Sequence, residues 1–225
     1  PGKAMDIPNL EALSFAGAVR RATVENLSSS RTYDEFLAAV DKTIEEDVEK
    51  IISSLKPVYI FPSPFLSLMM EGSTENAKDI SLGAKYNNYG IHGSGIATAV
   101  DSVMAVKKFV FENGEVTGDE MIKAIESDFE NDKILGNRLR YDKDKFGNDT
   151  PETNEIADHL LSVFHSALQG RRNDRGGIFR AGTGSAMYYI WHSADMGATP
   201  DGRHKGEVIP ANYSPSLFTK VNGPV

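Results

Sequence analysis

The strongest constraint on this chain is one amphipathic run. Apolar residues stand at Phe36, Leu37, Val40, Ile44, Val48, Ile51, Ile52 and Leu55. Steps of three and four put them on one helical face. Asp41, Glu45, Glu46 and Glu49 fall largely on the wet side. Thr32, followed three residues later by Glu35, carries a capping-box signature, and Pro57 ends the run. Any fold must therefore supply a layer to cover this face.

The rest of the chain reads as further helices between long loops. Residues 10–26 form a helix that Ser28-Ser29-Ser30 breaks, and residues 95–111 form another before the turn Asn113-Gly114. Thr117 and Glu120 open a helix to Phe129, and Thr150-Pro151 opens one that Gly170 stops. Residues 182–195 read as a last helix, with Met187, Tyr188 and Trp191 on one side. Strand signals are few: residues 58–61, limited by Pro62 and Pro64, and Ile178-Phe179. Residues 64–70 read as a short helix or buried loop. Residues 81–94, 131–150 and 196 onward read as irregular. Such long loops in a compact chain belong to function or to a larger architecture. The chain opens on Pro1 and closes on Asn222-Gly223-Pro224-Val225. Both ends are expected to be cuts through a longer polypeptide, with a processed mature protein as the alternative.

Composition excludes several classes. The chain has 225 residues and a net charge of -8, which opposes a general nucleic-acid surface. It has no cysteine, so it holds no disulfide, thiolate metal site or cysteine nucleophile. Its apolar stretches are too short to span a bilayer, and a cytoplasmic location is expected. Gly93-Ser94-Gly95 fails the dinucleotide fingerprint, because Thr98 stands where Gly or Ala is needed and no buried strand is read before it. His159 and His165 are six residues apart, the wrong spacing for a shared metal, and His92, His192 and His204 are isolated. Arg171, Arg172 and Arg175 read as a solvated turn.

Four segments together resemble the central domain of glycyl radical enzymes of the pyruvate formate-lyase type. They are Asp79-Ile80-Ser81-Leu82-Gly83-Ala84-Lys85-Tyr86-Asn87-Asn88; Asp101-Ser102-Val103-Met104-Ala105-Val106-Lys107-Lys108; Phe146-Gly147-Asn148-Asp149; and Gly197-Ala198-Thr199-Pro200-Asp201-Gly202-Arg203, followed by Ser214-Pro215 and Gly223-Pro224. Asp6-Ile7-Pro8-Asn9-Leu10 also looks like the family stretch shortly after the radical cysteine. Read physically, these positions are scaffold. Polar Asp101 and Ser102 inside a helix need partners. Asn148 suits a tight turn. Asp201 and Arg203 can fix a loop, the guanidinium offering five donors.

The resemblance implies an α/β fold, helix-rich, the whole chain being part of one ten-stranded α/β barrel wrapped by helices. It also implies a lyase that breaks C–C or C–X bonds of a small polar substrate by radical chemistry, in the eliminase or decarboxylase branch. The radical cysteine and glycine of the family are expected outside this chain, so no catalytic residue and no metal site is assigned to it and the chain alone is expected to be inactive. Ser73 stands where many relatives carry cysteine. No cofactor is expected in the chain, the glycyl radical being installed elsewhere in the full-length protein. The implied partners are a radical S-adenosylmethionine activating enzyme and a second copy in a homodimer, with neither nucleic acid nor membrane. The partial barrel is expected to leave apolar sheet surface uncovered. Residues 208–218 are expected to approach the substrate, with Tyr213 buried and Ser214 beside it in the pocket. Asp101, Ser102, Asn148, Asp201 and Arg203 are expected to support it structurally. A non-catalytic helical interaction domain, or an activity-dead homologue, is the alternative.

Overall fold

The structure, a computed structural model, describes residues 2–184 and 187–221. The closing Asn222 to Val225 turn, and with it the Gly223-Pro224 match, lies outside the described residues. Three parallel strands, β1 (Ile7–Ser14), β2 (Tyr89–Ser94) and β3 (Phe179–Thr183), form a sheet in that order. The fold is mixed α/β, helix-rich, with this one small parallel sheet among the described residues.

Residues 10–26, read as one helix, are divided by the structure. β1 runs to Ser14, and α1 (Phe15–Asn26) begins there. Ser14 is extended, and its Oγ accepts from the Gly17 N–H at 3.1 Å, so one side chain ends the strand and caps the helix. The stretch 81–94, read as irregular, contains the central strand. Its glycines are there because the chain is crowded. A Cβ at Gly90 would overlap the Pro8 carbonyl of β1, and one at Gly93 would enter the Phe15 ring. Strand pairing shifts register between Ile7 and Glu11, where β1 presses on β2.

Helices cover one face of the sheet. The amphipathic run becomes α2 (Tyr33–Ser54), with Phe36, Val40, Ile44 and Val48 fully buried. The Thr32 Oγ1 accepts from Glu35 N–H as expected, but Glu35 reaches back to the Arg31 N–H rather than to Thr32. α5 (Ile96–Val106) is buried along its whole length and continues into a π-helical turn at Lys107–Glu112. α8 (Pro151–Leu168) joins α1 and α5, and Phe15 meets Phe164 edge-on at 5.5 Å. Two elements lie outside the sheet: α6 (Gly118–Glu126), whose capping box forms in full, and α7 (Lys133–Arg140), in a stretch read as loop. In α7, Asp132 caps the Leu135 N–H at 2.9 Å, and Leu135 and Leu139 are buried one turn apart. The helix is short and its polar residues hide that pattern. α9 (Tyr188–Ala194) follows β3.

The exposed apolar side chains are not on the sheet, contrary to expectation. One group stands on the segment around α3 (Pro64–Ser67), where Tyr59, Phe61, Phe65, Leu68 and Met69 are all largely exposed, and others, among them Ile134, Trp191 and Leu217, stand elsewhere on the surface. Residues 58–61 form no strand. This segment is fixed by Asp79, the N-cap of α4 (Ile80–Gly83), which accepts from Ser63 N–H and Ser67 Oγ at 2.7 and 2.8 Å. These bonds, led by that from the Ser81 N–H, hold the Asp79 carboxyl down at about 2. Among the described residues, no helix is long and apolar enough to cross a membrane.

Gly90→Ala should cost roughly 1–3 kcal/mol or more, because the added methyl meets backbone that cannot move without parting β1 from β2. Urea denaturation of the variant beside the wild type measures this; an unchanged midpoint would refute the crowding at this crossing.

Candidate functional site

The sheet face away from the helices is the open one. Side chains alternate along a strand, so Tyr89 and Ile91 point into the helical core while Gly90, His92 and Ser94 share the other face. Near the start of the strands, Asn88 ties the three together. Its N–H and Nδ2 donate to Asp6 at 2.7 and 3.3 Å, and its Oδ1 accepts from Ile178 N–H at 3.1 Å. Arg180 lies 3.7 Å from the same Asp6 carboxylate. A cavity of about 180 Å³ opens here, lined by Asp6, Gly90, His92 and Arg180 among others. Towards the strand ends, Ser94 Oγ lies 2.7 Å from Nδ1 of His192, which α9 brings in from above. Burial holds the His192 imidazole below its ordinary range, the nearby Glu11 carboxylate offsetting this in part. Burial thus favours the neutral form of the imidazole.

The residues expected to support a substrate loop gather elsewhere, beneath residues 196–216. Arg203 is fully buried and spends its guanidinium on oxygens of its own loop. Nε donates to Thr199 Oγ1 at 3.2 Å, Nη1 to the His204 and Glu207 carbonyls at 2.9 and 2.6 Å, and Nη2 to the Met196 and Gly197 carbonyls. Asp201 accepts through Oδ1 from Thr199 Oγ1 at 2.5 Å and from its neighbour's N–H, Arg203 N, at 3.3 Å. Asp101 accepts from Phe146 N–H at 2.7 Å and from Ser216 Oγ at 3.3 Å. Lys145, also buried, donates to the Asp201 carbonyl at 2.9 Å. Ser102 is buried, and its Oγ has no partner among the described residues. Asn148 sits at the rim and donates to the Lys220 carbonyl at 3.2 Å.

Tyr213 is not buried. It is 49% exposed and Ser214 is exposed too, because the chain turns outward there, Asn212 having positive φ and Ser214 N–H closing onto the Ala211 carbonyl. Neither residue lines the cavities of the sheet's open face. The buried anchor of that loop is Ile209, which fills the space over the left-handed Gly95. This also refines the case against a dinucleotide site. A buried strand does precede Gly95, contrary to the sequence reading, but an isoleucine occupies the hollow that a pyrophosphate would need.

The family follows from comparison. Residues 16–192 match the model of the pyruvate formate lyase-like family. The chain belongs to that family. It is 30% identical to trans-4-hydroxy-L-proline dehydratase of Clostridioides difficile over 72% of its length, and 28% identical to (2S)-3-sulfopropanediol dehydratase of Klebsiella oxytoca over 84%. It spans 21% and 24% of those two proteins. The structure superposes on the glycerol-bound B12-independent glycerol dehydratase of Clostridium butyricum with a TM-score of 0.82 at 28% identity, covering 94% of this chain and 29% of that one. The glycyl radical family read from the four segments is thus the right one.

Within this family member, one local reading changes and one histidine gains a partner. Arg175 is no solvated turn residue: it is buried and donates to the Ser81 carbonyl and to Asn87 Oδ1 at 2.9 and 3.0 Å. His159 pairs with Asp41 at 2.8 Å, joining α8 to α2. Lys145, His92, Ser94 and His192 were not singled out for a site. The alternation Tyr89, Ile91, Gly93 was the available signal for β2 and so for the face that carries His92 and Ser94. Nothing in the sequence signals that Lys145 is buried.

Asp101 carries a pH signature. Burial pushes its carboxyl up to about 7, with Asp201 nearby adding to the rise and Lys145 opposing it. A carboxyl whose pKa is raised on folding stabilises the fold while protonated, and that stability is lost as pH rises through the folded value. The loss falls between the ordinary carboxyl range and about pH 7. Asp101→Asn should flatten this part of the profile, so its melting temperature relative to wild type rises between pH 5 and 8. Parallel thermal profiles of the two proteins over that range would contradict the assignment.

Proposed function

We propose that this chain is part of the barrel of a glycyl radical lyase that eliminates a group from a small polar substrate, within the dehydratase and sulfite-lyase branch. The observation that carries the reading is the sheet. Three parallel strands are sealed by helices on one face, while the other face opens on a cavity lined by Asp6, Asn88, His92 and Arg180 beside the small side chains Pro8 and Ala181. Such a face suits the inner wall of a larger barrel. Relatives named as dehydratases of hydroxyproline and sulfopropanediol, and as isethionate sulfite-lyases, favour elimination over other outcomes.

The radical, when present, supplies hydrogen-atom abstraction from the substrate. With no cysteine in its sequence, this chain does not supply the thiyl. Its own residues do other work. The helical layer and Arg203 loop hold the wall rigid, the Asn88 ties keep the three strands in register, and the open face presents hydrogen-bonding groups to the substrate. In this reading the chain is one part of a single barrel domain in a cytoplasmic homodimer. A radical S-adenosylmethionine enzyme activates that dimer. The exposed apolar segment around α3 then packs against the remainder of the protein.

The test is anaerobic activation of the full-length enzyme by a radical S-adenosylmethionine activase, followed by electron paramagnetic resonance and a screen of small diols, hydroxy acids and hydroxysulfonates. A glycyl doublet with release of water or sulfite is expected. The isolated chain should give neither. Absence of the doublet in the full-length protein under conditions that activate a known dehydratase would refute the proposal.

A further inference from the structure

The open face holds a pair of groups whose arrangement has no structural use that the fold requires. Ser94 is buried, and its hydroxyl has two candidate acceptors: His192 Nδ1 at 2.7 Å and the Leu13 carbonyl at 3.4 Å. The hydroxyl has one proton, so either it goes to Nδ1 and the imidazole carries its proton on Nε2, or it goes to the Leu13 carbonyl while Nδ1–H donates to Ser94 and Nε2 is an acceptor. In both arrangements Nδ1 is engaged, and Nε2 has no hydrogen-bond partner among the described residues. The ring is held from the side as well, because Tyr188 lies against it with centroids 5.7 Å apart and Trp191 braces Tyr188 edge-on at 5.3 Å. An oriented, half-buried imidazole is thus fixed over the carboxyl ends of parallel strands, where α/β sheets bind ligands.

His92 extends the same surface. It lies two residues before Ser94 on the same face. Its ring rests on the backbone of β3, where a Cβ at Gly182 would come within 3.0 Å and one at Gly184 within 2.9 Å. Its Nδ1 is buried without a partner among the described residues. A buried polar atom left unpaired calls for a missing partner, and a ligand on this face would supply one.

We infer that His192, oriented by Ser94, is a specificity-determining residue whose Nε2 hydrogen-bonds a hydroxyl of the substrate, with His92 completing the polar floor. The inference rests on the proposed lyase reading. A hydroxyl can give or accept that bond. Arg180, which lines the cavity beside His92, lies 3.7 Å from the Asp6 carboxylate. A site built to hydrogen-bond a substrate oxygen rejects the analogue that lacks it, because its own polar groups are then left unpaired.

The experiment is steady-state kinetics on the activated full-length enzyme and its His192→Ala, His192→Gln and Ser94→Ala variants, with the glycyl radical quantified in each. Radical content should be unchanged in all of them. His192→Ala should lose about tenfold to a hundredfold in kcat/KM, chiefly through KM, and should discriminate less between the preferred substrate and its deoxy analogue. His192→Gln keeps a hydrogen-bonding side chain and should recover part of that loss. Ser94→Ala frees the ring and should lose about threefold to tenfold. Three results would overturn the inference and leave the lyase reading intact. One is an unaltered kcat/KM and substrate ranking in His192→Ala. Another is a loss that falls wholly on radical content. The third is a loss that Gln does not relieve. A wild-type enzyme that forms no radical and turns over no substrate would instead sink the lyase reading, and this inference with it.

Discussion

Where β1 crosses β2, a side chain at position 90 would stand in the place of the Pro8 carbonyl. The sheet therefore exists in this form because the central strand lacks side chains at two points. At Gly90 the neighbouring strand closes in, and at Gly93 the Phe15 ring takes the vacant space from the helical side. Phe15 is the first residue of α1 and meets Phe164 of α8 edge-on, so the same gap that admits one ring aligns two helices with the sheet. The cost is conformational, since glycine loses more freedom on folding than other residues. Close packing of the interior offsets it.

The second constraint is the burial of charge under residues 196–216. A guanidinium withdrawn from water is costly unless its donors are met. Arg203 meets them with loop carbonyls and one hydroxyl, so the loop cannot change shape without exposing or orphaning it. Arg140 reinforces the same loop from outside, binding the Gly202 carbonyl at 3.0 Å and Glu207 at 2.7 Å. Asp101 links the loop to α5 and Lys145 links it to the stretch before α8, so a segment with little regular structure behaves as a rigid part of the wall.

These two constraints divide the molecule's surfaces. The helical side is closed and apolar within. The opposite side of the sheet is lined with glycines, histidines, a serine and an Asp–Arg contact, a surface that can meet a small polar molecule but has little apolar area to drive packing. Apolar side chains are exposed on the segment around α3, pinned in place by Asp79, and also at α9, on Met187, Ile190 and Trp191.

Helices whose signals are local were legible in the sequence. The α2 periodicity, the Thr117–Glu120 box and the Pro151 start depend on residues three or four apart, and the structure keeps all three. The family was legible for the same reason, since four short segments in order need no knowledge of contacts. β1 and β2 were not, because a buried parallel strand is defined by its neighbours: Asn and Gly near Tyr89 speak for a loop until β1 and β3 close on either side. Tyr213 was expected to be buried from its apolar neighbours, the turn before it and the family resemblance, and a positive-φ turn at Asn212 leaves it half exposed while Ile209 takes the burial. Local pattern thus determined the helices and the family. Which face of the sheet lies open, which lysine is buried, and that Ser94 meets His192 98 residues away were decided only by tertiary structure, because each depends on segments distant in sequence arriving at the same place.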